Sequence, residues 1–157
     1  MASRLRKAGF GLTVAGALAV GFVGGKEGVS TKAYRDIVGV PTICFGETRG
    51  VKMGDTATMD ECKAMLGDAL VEFEGNMRAC LTNPDKIPDK PYVAFLSLSY
   101  NIGSRAFCGS TVARKANAGD LIGACNAMLV WNKAGGRVIK GLSLRRAEER
   151  RMCLEGA

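Results

Sequence analysis

Cys62, Met65, Leu66, Ala69, Leu70, Phe73 and Met77 recur at three- and four-residue spacing, the interval at which a helix returns to one face. Thr58 and Glu61 stand just ahead of that run in the order of a capping box, so the pattern predicts an amphipathic helix starting at this point. Residues 91–101 are mostly apolar all round, through Val93, Ala94, Phe95, Leu96, Leu98 and Tyr100, with Ile102 beyond, which predicts a buried central helix. Pro91 suits its first turn, after a linker from Asn83. Asp120–Asn132 and Ser143–Leu154 predict two more helices, parted by Gly135-Gly136. Upstream the period shortens. Ala33-Tyr34-Arg35 and Thr42-Ile43-Cys44-Phe45 flank Val38-Gly39-Val40-Pro41, which predicts a helix end followed by a small twisted sheet within residues 27–57. Strands gathered at one end and helices after them make an α+β chain.

The first 25 residues follow another pattern. Arg4, Arg6 and Lys7 precede an uncharged run of 18 residues from Ala8 to Gly25, the layout of a segment recognised for export. Six glycines and four alanines dilute it, and only Phe10, Leu12, Val14, Leu18, Val20, Phe22 and Val23 are strongly apolar. Such a segment enters a bilayer but holds weakly. Three readings stand: a signal cleaved near Ala17-Leu18-Ala19, an anchor that later leaves the membrane, or a Gly/Ala-rich helix buried in the fold. The division expected is a signal-anchor segment over 1–25 and one domain over 26–157.

Composition narrows the chemistry. The 157 residues are 47% hydrophobic, enough for a single core, and contain no histidine. Ser-His-Asp and Cys-His catalysis and HExxH zinc hydrolysis are thereby excluded, so any acid/base work falls to carboxylates. The net charge of +7 drops to +4 from Lys26 onward, which weakens a nucleic-acid reading that already lacks an aromatic platform. Cys44, Cys62, Cys80, Cys108, Cys125 and Cys153 show no CxxC spacing. They fit disulfides in an oxidising compartment better than metal ligation, with buried free thiols as the alternative. Sequence permits 15 pairings of six cysteines. The sequential one is favoured because Cys125 and Cys153 fall on adjacent predicted helices and Cys44 and Cys62 border the sheet.

Glu27 and Asp36, with Thr42 beyond them, are the candidate acid/base pair and its helper. Their frame is more specific than their spacing: Glu27-Gly28, Tyr34 shortly before Asp36, Gly39 in the turn, Thr42, and Gly46 after the strand. Far downstream follow Tyr100-Asn101-Ile102-Gly103, Phe107 with Ser110-Thr111, Trp131 before Gly135-Gly136, and Gly141-Leu142 with Arg145-Arg146 and Glu149. In order and spacing, over about residues 26–156, the chain resembles the phage-type lysozymes, endolysins that cut bacterial peptidoglycan. Residues 1–25 resemble the signal-anchor-release segment that some of them carry.

The resemblance implies a lysozyme-like fold with a small sheet lobe and a mainly helical lobe. It implies a muramidase that hydrolyses the β-1,4 bond between N-acetylmuramic acid and N-acetylglucosamine and lyses the host cell. Glu27 would protonate the leaving oxygen, Asp36 would orient water or stabilise the transition state, and Thr42 would help hold that water. Inversion is the outcome the resemblance favours. Tyr100, Asn101 and Ser110 would bind the glycan, although Tyr100 also reads as an ordinary core aromatic. Trp131 reads as core, and the run from Arg145 to Arg151 as a solvated, salt-laced helix face. The implied partners are peptidoglycan glycan strands and, before release, the inner membrane through residues 1–25, facing the periplasm. No nucleic acid, no cofactor and no metal is expected, and the protein is expected to be a monomer. None of the cysteines lies in the anchor, so thiol exchange with an anchor cysteine is not a route to activation. Glu47 is a departure, since the family commonly has histidine there. A third carboxylate facing the pair would disturb it, and a catalytically weak peptidoglycan-binding module is therefore the alternative reading.

Overall fold

The computed structural model describes residues 2–8 and 11–157, so Met1, Gly9 and Phe10 of the predicted anchor lie outside the described residues. The chain forms two compact units, one built from residues 5–71 and the other from the described part of 1–4 with 72–157.

In the first unit the chain doubles back early. Thr13 N–H donates to Leu5 O at 2.9 Å, Arg6 bridges Leu12, and Leu5 is 1% exposed. Thr13 then caps helix α1 (Val14–Gly24), its hydroxyl accepting from Gly16 N–H at 3.1 Å. A Cβ on Gly16 would stand 2.1 Å from Leu5 O, so only glycine lets the two backbones approach this closely. Among the described residues of the uncharged run, 11 are helical. No helix among the described residues is long and apolar enough to cross a membrane. Antiparallel strands β1 (Ser30–Arg35) and β2 (Pro41–Cys44) follow, with Tyr34 opposite Thr42. Ile43, Cys44 and Cys62 form a small core with Ala33, Phe45, Val51, Ala57 and Met65 packed against it, and the Cys44–Cys62 disulfide ties the sheet to helix α2.

Helix α2 (Met59–Ala79) starts as the capping box predicts. Thr58 N–H donates to Glu61 Oε2 at 2.6 Å and Glu61 N–H to Thr58 Oγ1 at 3.2 Å. The second unit is built round α3 (Asp89–Ile102), with Pro91 through Ser99 buried. Short helices α4 (Ser104–Cys108), α5 (Thr111–Asn117) and α6 (Leu121–Ala127) follow, and α7 (Lys140–Gly156) packs along α3. Cys80–Cys108 and Cys125–Cys153 complete the sequential pairing.

Two expectations are corrected. The segment predicted as a helix to Asn132 leaves α-geometry after Ala127, passes through a 3-10 turn (Met128–Val130), and enters a hairpin of β3 (Lys133–Ala134) and β4 (Arg137–Val138). Gly135 and Gly136 both have left-handed φ, +57° and +76°. Two such residues make the tight turn whose twist suits a hairpin, so the pair folds the chain as well as breaking a helix. The run from Arg145 to Arg151 is not a solvated face throughout, because Arg145, Arg146 and Glu149 are buried. Glu149 forms an ion pair with Arg146, Nε to Oε2 at 2.6 Å, and its Oε1 accepts from Arg146 Nη2 at 2.9 Å, Arg145 Nε at 3.2 Å and Ser97 Oγ at 2.7 Å. Pairing and hydrogen bonding let the charges stay buried.

A second buried polar cluster lies at the end of α2. Tyr92 donates its hydroxyl to Glu74 Oε1 at 2.5 Å, and Arg78 reaches Tyr92 Oη at 3.2 Å and both oxygens of Asp85 at 2.9 Å. Burial first, and then the Glu74 carboxylate, push the Tyr92 phenol well above its ordinary range, so it remains a donor.

Candidate active site

Glu27, Asp36 and Thr42 all belong to the 5–71 unit. Glu27 lies just past the end of α1, its N–H reaching back to Val23 O at 3.1 Å. Helix α1 therefore fixes the backbone of the candidate acid, leaving a half-buried side chain.

Asp36 begins the turn between β1 and β2. Its Oδ1 accepts from Val38 N–H at 3.0 Å and Val40 N–H at 2.8 Å, and its own N–H donates to Val40 O at 3.0 Å. Gly39, at φ +86°, supplies the left-handed residue this turn requires. One oxygen of Asp36 thus holds the loop, and Oδ2 has no hydrogen-bond partner among the described residues. Thr42 is 4% exposed and donates its hydroxyl to the same Val40 carbonyl at 3.0 Å. With its proton committed there, Thr42 Oγ1 can meet a water only as an acceptor. Asp36 and Thr42 are brought together through the peptide groups of Val40.

Glu47 lies two residues beyond Phe45, and its carboxylate is engaged locally. Oε1 accepts from Thr48 N–H at 3.0 Å and Arg49 N–H at 2.8 Å, with Arg49 Nε at 3.5 Å. A histidine in neutral form could accept one such bond at most, so the carboxylate here stabilises its own turn.

The glycan candidates lie in the other unit. Tyr100 is half-buried with its ring edge-on to Phe73 at 4.9 Å. Asn101 is exposed in the last turn of α3. Ser110 is 4% exposed and caps α5, accepting from Ala113 N–H at 3.2 Å and donating to Phe107 O at 2.6 Å. The half-buried Trp131 contributes its carbonyl to Arg146 Nη1 at 3.2 Å. Sequence reasoning missed the Glu74 cluster, although Glu74 falls four residues after Leu70 and three before Met77 on the predicted apolar face.

The Phage lysozyme family profile matches residues 24–149, the stretch that holds all of these positions. This chain belongs to the phage lysozyme family. This phage lysozyme is 41% identical over 165 residues to the SAR-endolysin of Enterobacteria phage P21, covering 99% of each chain. It is 38% identical over 155 residues to the SAR-endolysin of Pseudomonas phage phiKMV, covering 96% of this chain and 91% of the other. The crystal structure of a P22 lysozyme mutant superposes with a TM-score of 0.81 at 34% identity, over 88% of this chain and 96% of that one. The phage lysozyme is thus a lysozyme-like α+β protein, a phage endolysin of the signal-anchor-release type and a glycoside hydrolase of the muramidase kind.

Proposed function

We propose that this muramidase hydrolyses the β-1,4 bond between N-acetylmuramic acid and N-acetylglucosamine. Glu27 protonates the leaving oxygen, and Asp36, through Oδ2, steers or stabilises on the opposite side of the reacting carbon. Thr42 accepts a hydrogen bond from the attacking water, which leaves that water's other proton toward Asp36. Tyr100 and Asn101 offer a ring and an amide to the glycan, and Ser110 fixes the start of α5 beside them in sequence. The observation that carries this reading is the division of labour at Asp36, where one oxygen is fixed by two backbone N–H groups and the other has no such partner.

The N-terminal segment completes the proposal. Residues 1–25 direct export and tether the chain in the inner membrane, facing the periplasm, until it is released and lyses the host. A released form is supported by the folded segment, in which Leu5 is buried and Gly24 lies against Phe45 and Leu66. While the segment spans the bilayer, Glu27 is held two residues from Gly25 at the membrane surface, and the tethered form is inactive.

Turbidity of permeabilised cells tests the chemistry. Wild type should clear the suspension and Glu27→Gln should not. Equal, negligible clearing by both would instead support a binding module, the reading that Glu47 motivates.

A further inference from the structure

We infer that the second unit contains a guanidinium-binding site whose ligand is Arg4 of the same chain, and that filling it latches the released state. The inference rests on the tethering reading above.

The site is lined by groups that converge on Ser3 and Arg4. Arg4 Nη1 donates to two backbone carbonyls, Pro84 O at 2.8 Å and Ile87 O at 2.7 Å. Arg4 Nη2 meets Asp89 Oδ1 at 2.5 Å, and the guanidinium carbon lies 4.1 Å from the centre of the Tyr92 ring. The backbone is held too: Arg4 N–H donates to Glu74 Oε1 at 2.7 Å, and Ser3 Oγ donates to Glu74 Oε2. Glu74 is 1% exposed and Tyr92 0%. Two carbonyls, a carboxylate and an aromatic face suit a planar fork of donors, and the single point charge of an ammonium would satisfy them less well.

The same arginine has an earlier position. Arg4, Arg6 and Lys7 form the basic flank of the segment, and in the tethered state the positive flank stays on the cytoplasmic side. Ser3 and Arg4 are then across the bilayer from the pocket, and Glu74 keeps Tyr92 but loses the two donors they supply. Release delivers those donors. Docking therefore stabilises the released state by the difference between an Arg-filled and an Arg-empty pocket, and opposes return to the membrane.

The two roles of Arg4 predict opposite signs. If Arg4 serves only topology, weakening it frees the chain sooner; if it is the latch, weakening the dock keeps the chain in the membrane. Arg4→Lys keeps the flanking charge and removes the fork, and Asp89→Asn leaves the whole flank untouched. The full chain, wild type and each variant, is expressed in cells and separated into membrane and soluble fractions at timed intervals after expression begins. Both variants should lower the released-to-tethered ratio by about tenfold, the loss expected from charge-assisted hydrogen bonds, with unchanged muramidase activity per released molecule. A wild-type ratio for both variants, or faster release of Arg4→Lys, overturns the latch. A wild-type chain that never enters the membrane fraction is a different failure, since it sinks the tethering reading and the latch with it.

Discussion

Asp36 and Val40 hold each other from both directions: Val40 N–H donates to the Asp36 carboxylate at 2.8 Å, and Asp36 N–H donates to the Val40 carbonyl at 3.0 Å. Structure and chemistry can be separated at this residue. The side-chain oxygen of Asn can take over the Oδ1 bonds, so Asp36→Asn should unfold within a few degrees of wild type while its turnover of peptidoglycan falls by ~10²–10⁴-fold. Asp36→Ala loses both bonds and should also melt earlier. Paired thermal melts and turnover measurements check this, and an Asn variant as active as wild type would remove Asp36 from the chemistry.

The buried charges of α7 make a larger prediction. Glu149→Gln leaves Arg145 and Arg146 facing each other without their carboxylate, and breaking a buried pair by removing one partner costs about 3–5 kcal/mol. Urea denaturation should show that loss. Replacing Arg146 and Glu149 together by Met and Leu should restore part of it, because no uncompensated charge then remains.

Glycines in the N-terminal segment separate membrane affinity from fit. A Cβ at Gly11 or Gly21 meets nothing within 4 Å, whereas one at Gly16 strikes Leu5 O. Gly11→Leu with Gly21→Leu should hold the chain in the membrane and delay lysis without a large loss of stability in the folded protein. Gly16→Leu should both hold the chain and destabilise the folded form. Membrane fractionation and melting of detergent-recovered protein distinguish these outcomes, and rapid peptidoglycan hydrolysis by the membrane-held double variant would refute the inactive tether.

Removing Cys125 and Cys153 together as serines should cost ~2–4 kcal/mol, the usual range for a disulfide. Clearing activity at room temperature should persist, since the pair belongs to the helical unit and Glu27 and Asp36 belong to the other. The mass of the non-reduced protein after thiol alkylation should show no added label, because all six cysteines are paired.

Acid stability provides another test at Asp120. Hydrogen bonds from Lys115 first and Gly123 N–H second hold its carboxyl below the ordinary value of 3.8. A carboxyl lowered in the folded state adds stability above its unfolded value, and that contribution disappears as pH falls through the folded one. The difference in melting temperature between wild type and Asp120→Asn should therefore be present at neutral pH and close below about pH 3.8. A gap that widens in acid would contradict this.

The legible parts of the sequence were those governed by local pattern. Thr58 and Glu61 announced the start of α2, and the all-round apolar run from Pro91 announced a buried α3. Glu27, Asp36 and Thr42 were found by their frame, but the frame did not reveal that Val40 joins two of them through its backbone. Backbone groups have no identity in a sequence, so that kind of junction is invisible there. Burial within the charged run of α7 is not legible in the sequence, because exposed and buried ion pairs share the same letters. Its burial depends on Ser97 of α3, 52 residues before Glu149. Gly135-Gly136 carries a hairpin signal as well as a helix break, since both residues adopt left-handed φ.

The three disulfides span 18, 28 and 28 residues and each closes inside one compact unit. Every cysteine lies after residue 43, so the release proposed for the N-terminal segment would require no cross-link to open, close or exchange. Oxidation can be finished long before lysis begins. Under that proposal the timing of lysis should be indifferent to glutathione, oxidoreductases and the poise of the compartment, and strains lacking disulfide isomerase should lyse on the same schedule once the pairs have formed.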